Sequence, residues 1–289
     1  MSIVEPVIRP PSEAESFLLQ VTTGCSANQC SFCGAYTGKP FAIKSSKEIF
    51  SDIEEWCRHY PDTRRVFLMD GDALVIKNDK LMPILEKLNQ VFPKLSRISS
   101  YANGYNITHR TDEELQQLCE FKLSLLYIGL ESGNQEILSR CKKRSSVEEM
   151  IEAVQRADRV GIKSSVIVLL GLGGKQYSAE HIRDTIKALN RMQPRYVSFL
   201  SLMLIPGTPL YEAARRGDFE ELDSHELLRQ ARDIIQGLEL EKTIFRSNHA
   251  SNYLSLEGRF PQDKGKLLTM LEGAIHGETT LRPEFLRGL

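Results

Sequence analysis

Short apolar runs bounded by turn residues alternate along this chain with amphipathic stretches, and that alternation constrains the fold more than any other feature. Repetition of a strand-length run followed by a helix-length one specifies β/α units around a mainly parallel sheet. Six units are legible: strands at residues 16–21, 65–69, 97–101, 124–129, 164–170 and 196–200, with helices expected near 46–59, 78–91, 146–160 and 179–192. A Ser-Ser-Lys-Glu sequence opens the first helix, Thr111-Asp-Glu-Glu114 opens one after the third strand, and Ser-Val-Glu-Glu opens the helix near 146; each places a glutamate three positions after a hydroxyl, as a capping box requires. Right-handed crossovers curl six parallel strands into an open barrel with function at the strand C-terminal ends. The expected fold is therefore α/β, a partial (β/α)6 TIM-like barrel.

From Pro206 the pattern changes, because Pro-Gly-Thr-Pro breaks the chain before helical segments near 209–216, 224–240 and 263–276 with a polar loop at 246–252. Residues 1–211 thus read as the barrel core and 212–289 as a helical C-terminal extension packed on it, one domain overall, since no Gly/Ser-rich linker or low-complexity tract intervenes. With 41% hydrophobic and 26% charged residues in 289, the chain has the composition of a soluble globular protein. Its 37 basic against 38 acidic residues show no excess of the kind that marks a dedicated nucleic-acid surface. The longest apolar stretch, residues 166–172, is far short of the ~20 residues of a membrane span, and the N-terminus lacks a signal-peptide pattern, so no membrane association and a cytoplasmic location are expected.

Three of the six cysteines, Cys25, Cys30 and Cys33, fall within nine positions. Thiolates at C-x4-C-x2-C can ligate three irons of a four-iron cluster and leave the fourth iron open. A zinc knuckle is the structural alternative, but it needs four ligands, and the nearest downstream candidates are Cys57 and His59. Cys57, Cys119 and Cys141 stand apart in helix-like patterns and read as packed thiols. His59, His109, His181, His225 and His276 have no recognisable partner and read as surface residues.

At this point the chain resembles the radical S-adenosylmethionine (SAM) superfamily, whose usual spacing is C-x3-C-x2-C; here the first interval is one residue longer. Phe32, just before the last cysteine, matches the aromatic residue the family places near the adenine of SAM; its structural alternative is packing beneath the loop. Asp70, Gly71 and Asp72 after the second strand resemble the family's Gly-Gly-Glu segment, whose backbone carbonyls receive the SAM amino group. Glu131, in Gly129-Leu-Glu-Ser-Gly133, resembles the Gly-x-Glu-Ser-Gly segment that places a glutamate near the ribose hydroxyls, which a carboxylate can accept from. Leu170 and Gly171 resemble the strand-five segment along the adenine, and Pro206-Gly-Thr-Pro-Leu-Tyr211 a segment common after strand six. Arg144 is a candidate counter-ion for the SAM carboxylate, with a solvated basic turn as its alternative; Ser100, Tyr101 and Asn103 would face the same cavity.

The resemblance implies a [4Fe-4S] cluster and SAM as cofactors, cleavage of SAM by a low-potential electron to methionine and a 5′-deoxyadenosyl radical, and hydrogen abstraction from a small or medium organic substrate or a peptide. It implies a donor such as flavodoxin or ferredoxin; no catalytic side chain beyond the cofactor set is singled out. The chain lacks the Asp-x-His-x-x-Gly motif of corrin binding and a second group of cysteines, and the helical reading of 212–289 argues against an appended β-barrel. In the 246–252 loop, Arg246, Asn248, His249 and Asn252 concentrate hydrogen-bonding side chains, and the expectation is that this loop covers the barrel's lateral opening and touches substrate. The alternative from another class is a non-catalytic iron–sulfur protein for electron transfer or sensing.

Overall fold

The computed structural model describes residues 2–288. In chain order its elements are β1 Phe17–Gln20, β2 Thr22–Thr23, β3 Ala42–Ile43, α1 Ser46–His59, β4 Arg65–Met69, α2 Asn78–Val91, β5 Arg97–Ala102, α3 Gly104–Thr108, α4 Asp112–Glu120, β6 Leu123–Glu131, α5 Gln135–Arg140, α6 Val147–Arg159, β7 Lys163–Leu170, α7 Ser178–Met192, β8 Tyr196–Ser201, α8 Pro209–Arg215, α9 Ser224–Gly237, β9 Ile244–Arg246, β10 Glu257–Arg259 and α10 Lys264–Ile275. The main sheet runs β1-β4-β5-β6-β7-β8-β9-β10, and β2 pairs with β3 in a small antiparallel ribbon. The six strands expected from the alternation are all present.

The helix starts follow the local chemistry read from the sequence. Ser45 with Glu48, Thr111 with Glu114, and Asp223 with Glu226 form reciprocal capping boxes at α1, α4 and α9. At α6 the Glu149 amide donates to Ser146 Oγ while the Ser146 amide donates to Glu149 Oε2. Each box satisfies backbone donors that a helix start leaves without intrahelical partners, contributing about 1 kcal/mol. No helix among the described residues is long and apolar enough to cross a membrane.

The chain divides into two compact units that interleave in sequence. The first comprises the chain up to Asn28, Ala35–Ile128 and Arg156–Ser164. Here β1, β4, β5 and β6 pair in parallel, and Phe17, Phe67, Phe92, Leu68 and Met69 are fully buried. Phe17 stacks on Trp56 at 4.6 Å, and the Phe67 ring meets Tyr101 edge-on at 5.2 Å. A short 3-10 turn, Pro11–Glu13, buries Glu13, which accepts from the Tyr127 hydroxyl at 2.6 Å and from Arg97 at 2.8 Å.

The second unit comprises Gln29–Gly34, Gly129–Gln155 and the chain from Ser165 onward. The segment expected to be purely helical supplies two strands here: β9 pairs in parallel with β8, and β10 antiparallel with β9. Arg246 therefore belongs to a strand, not to the start of a loop. Three residues are too few to display a two-residue period, and tertiary contacts hold β9 in place: Ile244 N–H donates to Arg195 O at 3.0 Å, and Thr243 Oγ1 to Pro194 O at 2.6 Å.

His181 corrects a second expectation, since it is fully buried in α7 with Nδ1 2.9 Å from Ser132 Oγ and Nε2 lacking a partner. Burial pulls its pKa from 6.5 down to about 4, so the ring is neutral in the folded protein. A depressed histidine pKa leaves stability intact above pH 6.5 and removes it as pH falls toward 4, because the unfolded chain takes up the proton first. The wild type should lose about 2 kcal/mol through this group between about pH 7 and pH 5. In urea titrations at the two pH values, His181→Leu should show that much less pH dependence; an equal slope in variant and wild type removes His181 as the cause.

Candidate active site

In the first unit the end of β4 organises the start of the cysteine loop. Asp70 has φ 73°, a left-handed conformation that aspartate tolerates better than most residues. Its carboxylate is fully buried, and Oδ2 accepts from Gly24 N–H at 2.8 Å, Lys39 Nζ at 2.8 Å and Gln20 Nε2 at 3.1 Å. Gly71 N–H donates to Gly24 O at 3.0 Å. Only glycine fits at 71: a Cβ there would lie 2.6 Å from Cys25 Cβ and 2.9 Å from its Sγ. The strand end and Cys25 are therefore in direct contact.

Asp72 is also fully buried. It accepts from Ser26 Oγ, beside Cys25, from Asn103 Nδ2 at 2.7 Å, and from Asn106 Nδ2 at 2.6 and 2.7 Å. Asn103 in turn caps α3, its Oδ1 accepting from Asn106 N–H at 2.9 Å. Arg110 is buried behind this network, donating to Asn106 O and Ile76 O at 2.6 Å, and attraction to Asp72 opposes the lowering of its pKa by burial. Ser100 Oγ donates to Tyr101 O at 2.8 Å. The Asp72 carboxylate and the side chains of Ser100 and Asn103 are thus engaged with protein groups, whereas Asp70 is engaged through Oδ2 and its Oδ1 is buried with no hydrogen-bond partner among the described residues.

In the second unit Cys33 N–H donates to Cys30 O at 3.1 Å, and Ser31 N–H to Cys141 O at 2.9 Å. Cys141, read from sequence as isolated, therefore lies against the cysteine loop. Burial pushes its thiol up to about 11. Cys57 and Cys119 are half-buried. Phe32 packs against a core of Ile137, Cys141, Leu172, Leu202 and Leu210, the packing alternative stated for it.

Glu131, at the end of β6, has φ 63° and accepts from Lys143 Nζ at 3.0 Å. Gly129 makes room for this carboxylate, since a Cβ there would lie 2.1 Å from Oε1. Lys143 is half-buried, whereas Arg144, the cation chosen from sequence, is exposed. Lys142, the first of the three consecutive cations at 142–144, sits at φ 54°. Burial raises the Cys30 pKa; the Lys143 charge opposes that shift, while Glu131 and Cys33 add to it. Glu131, Lys143, Cys30 and Cys33 therefore share one electrostatic neighbourhood.

Gly171 N–H donates to Gln230 Oε1 at 2.7 Å. Leu170 and Asn252 line one small cavity of about 20 Å³, room for roughly one water, with Ser201, Ser247 and Tyr253. Asn252 is 4% exposed; Nδ2 donates to Phe199 O at 2.7 Å and Ser247 Oγ at 3.0 Å, and Oδ1 accepts from Ser201 Oγ at 2.9 Å. The loop is thereby tied to the C-terminal end of β8. His249 shares Nδ1 with Ser251 Oγ at 2.9 Å, and burial and then the Arg282 charge lower its pKa. Asn248 is exposed, and the Arg246 guanidinium lies 5.9 Å from the Tyr196 ring centroid. Asn252 has both amide protons committed, leaving His249 and Asn248 as the loop's more available groups.

Among the described residues no group of three or more His, Cys, Asp or Glu side chains could hold a single metal ion. A four-iron cluster makes a different demand, because each thiolate binds a different iron. Thiolates are soft donors and suit iron better than a hard cation.

A family model described as the radical SAM superfamily matches residues 19–189. Among curated proteins, the heme chaperone HemW of Bacillus subtilis strain 168 is 22% identical over 158 residues, 54% of this chain and 41% of that protein. A tRNA uridine(34) acetyltransferase of Methanocaldococcus infernus is 29% identical over 131 residues, 43% of this chain and 24% of the relative. The chain thus spans less than half of each. Among solved structures, the radical SAM methyltransferase TsrM from Kitasatospora setae, with cobalamin and a [4Fe-4S] cluster bound, superposes with a TM-score of 0.56 at 18% identity, covering 70% of this chain and 39% of that one. Methylornithine synthase PylB gives 0.54 at 17% identity, covering 92% and 83%. These likenesses show the fold.

The contact at Gly71 makes a direct prediction. Gly71→Ala should fold but displace Cys25, so that reconstituted protein carries less than half the iron of wild type while its melting temperature falls by no more than a few degrees. Wild-type iron content in that variant would mean that Cys25 does not depend on this contact.

Proposed function

The chain belongs to the radical SAM superfamily, and on that premise we propose that it is an enzyme holding a [4Fe-4S] cluster on Cys25, Cys30 and Cys33 and SAM beside it. The observation that carries this reading is the shared neighbourhood of Cys30, Cys33, Glu131 and Lys143: the residue types suited to cluster, ribose and carboxylate occur together in one unit. When bound, the cluster supplies the electron and SAM the 5′-deoxyadenosyl group for hydrogen abstraction from a small or medium organic substrate or a peptide.

The remaining tasks fall to the chain's own residues. Glu131 accepts from the ribose hydroxyls, and Lys143, already oriented by Glu131, pairs with the SAM carboxylate in the role that Arg144 was expected to take. The backbone of residues 70–72 receives the SAM amino group, and Phe32, Leu170 and Gly171 border the adenine. His249 and Asn248 of the 246–252 loop contact substrate, while Asn252 holds that loop on β8. A low-potential donor such as flavodoxin or ferredoxin delivers the electron.

Anaerobically reconstituted protein given dithionite and SAM should release 5′-deoxyadenosine. Cys25→Ala, Cys30→Ala and Cys33→Ala should each abolish the SAM-competent cluster, and Cys57→Ser should not. Loss of the cluster in the Cys57 variant with retention in one of the other three would overturn the ligand assignment. Glu131→Ala should keep its iron and bind SAM roughly 10- to 150-fold more weakly, the effect of about 1.5–3 kcal/mol for one lost charge-assisted hydrogen bond. Unchanged SAM affinity by isothermal titration would take Glu131 out of the site.

A further inference from the structure

Lys39 and Asp70 form an ion pair at 2.8 Å whose side chains are 2% and 0% exposed. Such a pair is no economical source of stability, since desolvating two charges offsets much of their attraction. Its placement gives it another use. Gly24, at one end of the cysteine loop, and Lys39, at the other, donate to the same oxygen, Asp70 Oδ2, each at 2.8 Å. Gln20 at the end of β1 donates to it as well, and Lys39 Nζ also reaches Val4 O at 2.7 Å and Pro6 O at 2.8 Å. A single buried carboxylate thus closes both ends of the loop and attaches them to β1, to β4 and to the N-terminal segment.

We propose that Lys39 and Asp70 are positioning residues for Cys25, an ionic clasp that closes the cysteine loop at its base. This rests on the reading of Cys25 as a cluster ligand. The loop is otherwise short of regular structure, and closing a flexible loop costs entropy that each binding event would have to meet again. With its ends fixed, Cys25 follows Gly24 directly and stays against Gly71 before any iron arrives. The two clasp side chains act through the geometry of the loop and touch neither cofactor nor substrate.

The test separates the clasp from folding. Lys39→Met alone strands a buried carboxylate and is expected to fold poorly. The double variant Lys39→Met/Asp70→Asn removes both charges together, and asparagine tolerates the left-handed backbone at 70. It should melt within a few degrees of wild type. In the metal-free proteins, backbone amides of peptides covering Gly24 and Lys39 should exchange with deuterium about tenfold faster in the double variant, with α4 unchanged; equal exchange overturns the clasp. In the reconstituted proteins, the variant should surrender iron to a chelator about tenfold faster and give a broadened signal from its reduced cluster. An unaltered iron-release rate and spectrum would also overturn it. A wild type that assembles no cluster would instead contradict the cofactor reading, and the exchange measurement would still decide the clasp.

Discussion

Two carboxylates at the end of one strand, Asp70 and Asp72, are buried completely, and the need to satisfy them shapes the first compact unit. An ionised carboxylate taken out of water costs several kcal/mol unless donors replace its hydration. For Asp72 the donors are Ser26, Asn103 and Asn106, with the Arg110 cation nearby; for Asp70 they are Gln20, Gly24 and Lys39. Every one of these bonds draws the cysteine loop, α3 or β1 toward the end of β4. Acidity at this strand end therefore serves to hold these segments together.

The second unit applies the same logic with a different outcome. Among the described residues Glu131 pairs with Lys143 at 3.0 Å, and a carboxylate has acceptor capacity beyond one such bond. Both charges act on the Cys30 thiol, in opposite directions. Asp72, by contrast, accepts from three side chains.

The alternation of apolar and amphipathic segments was enough to read the six β/α units, because strands of four or more residues and helices of three or more turns display their periods locally. The clustered cysteines and the Gly-x-Glu-Ser-Gly segment were legible for the same reason, being contiguous. What could not be read depends on contacts distant in sequence. Strand β9 exists through its pairing with β8; His181 is buried by its bond to Ser132; Cys141 meets the loop through Ser31. The pairing of Lys143 with Glu131 joins residues twelve apart, which no spacing rule reveals. Asn106 and Arg110 carried no motif, yet both belong to the network that holds Asp72.

The central claim is that three thiolates leave one iron open and that SAM occupies it. Electron paramagnetic resonance of the dithionite-reduced, reconstituted protein tests this directly when recorded with and without SAM. The account predicts a four-iron signal whose g-values shift on addition of SAM, and a further shift or broadening when the SAM amino or carboxylate group carries a magnetic isotope. A cluster whose spectrum is indifferent to saturating SAM would contradict it and identify the chain as an iron–sulfur protein of another kind.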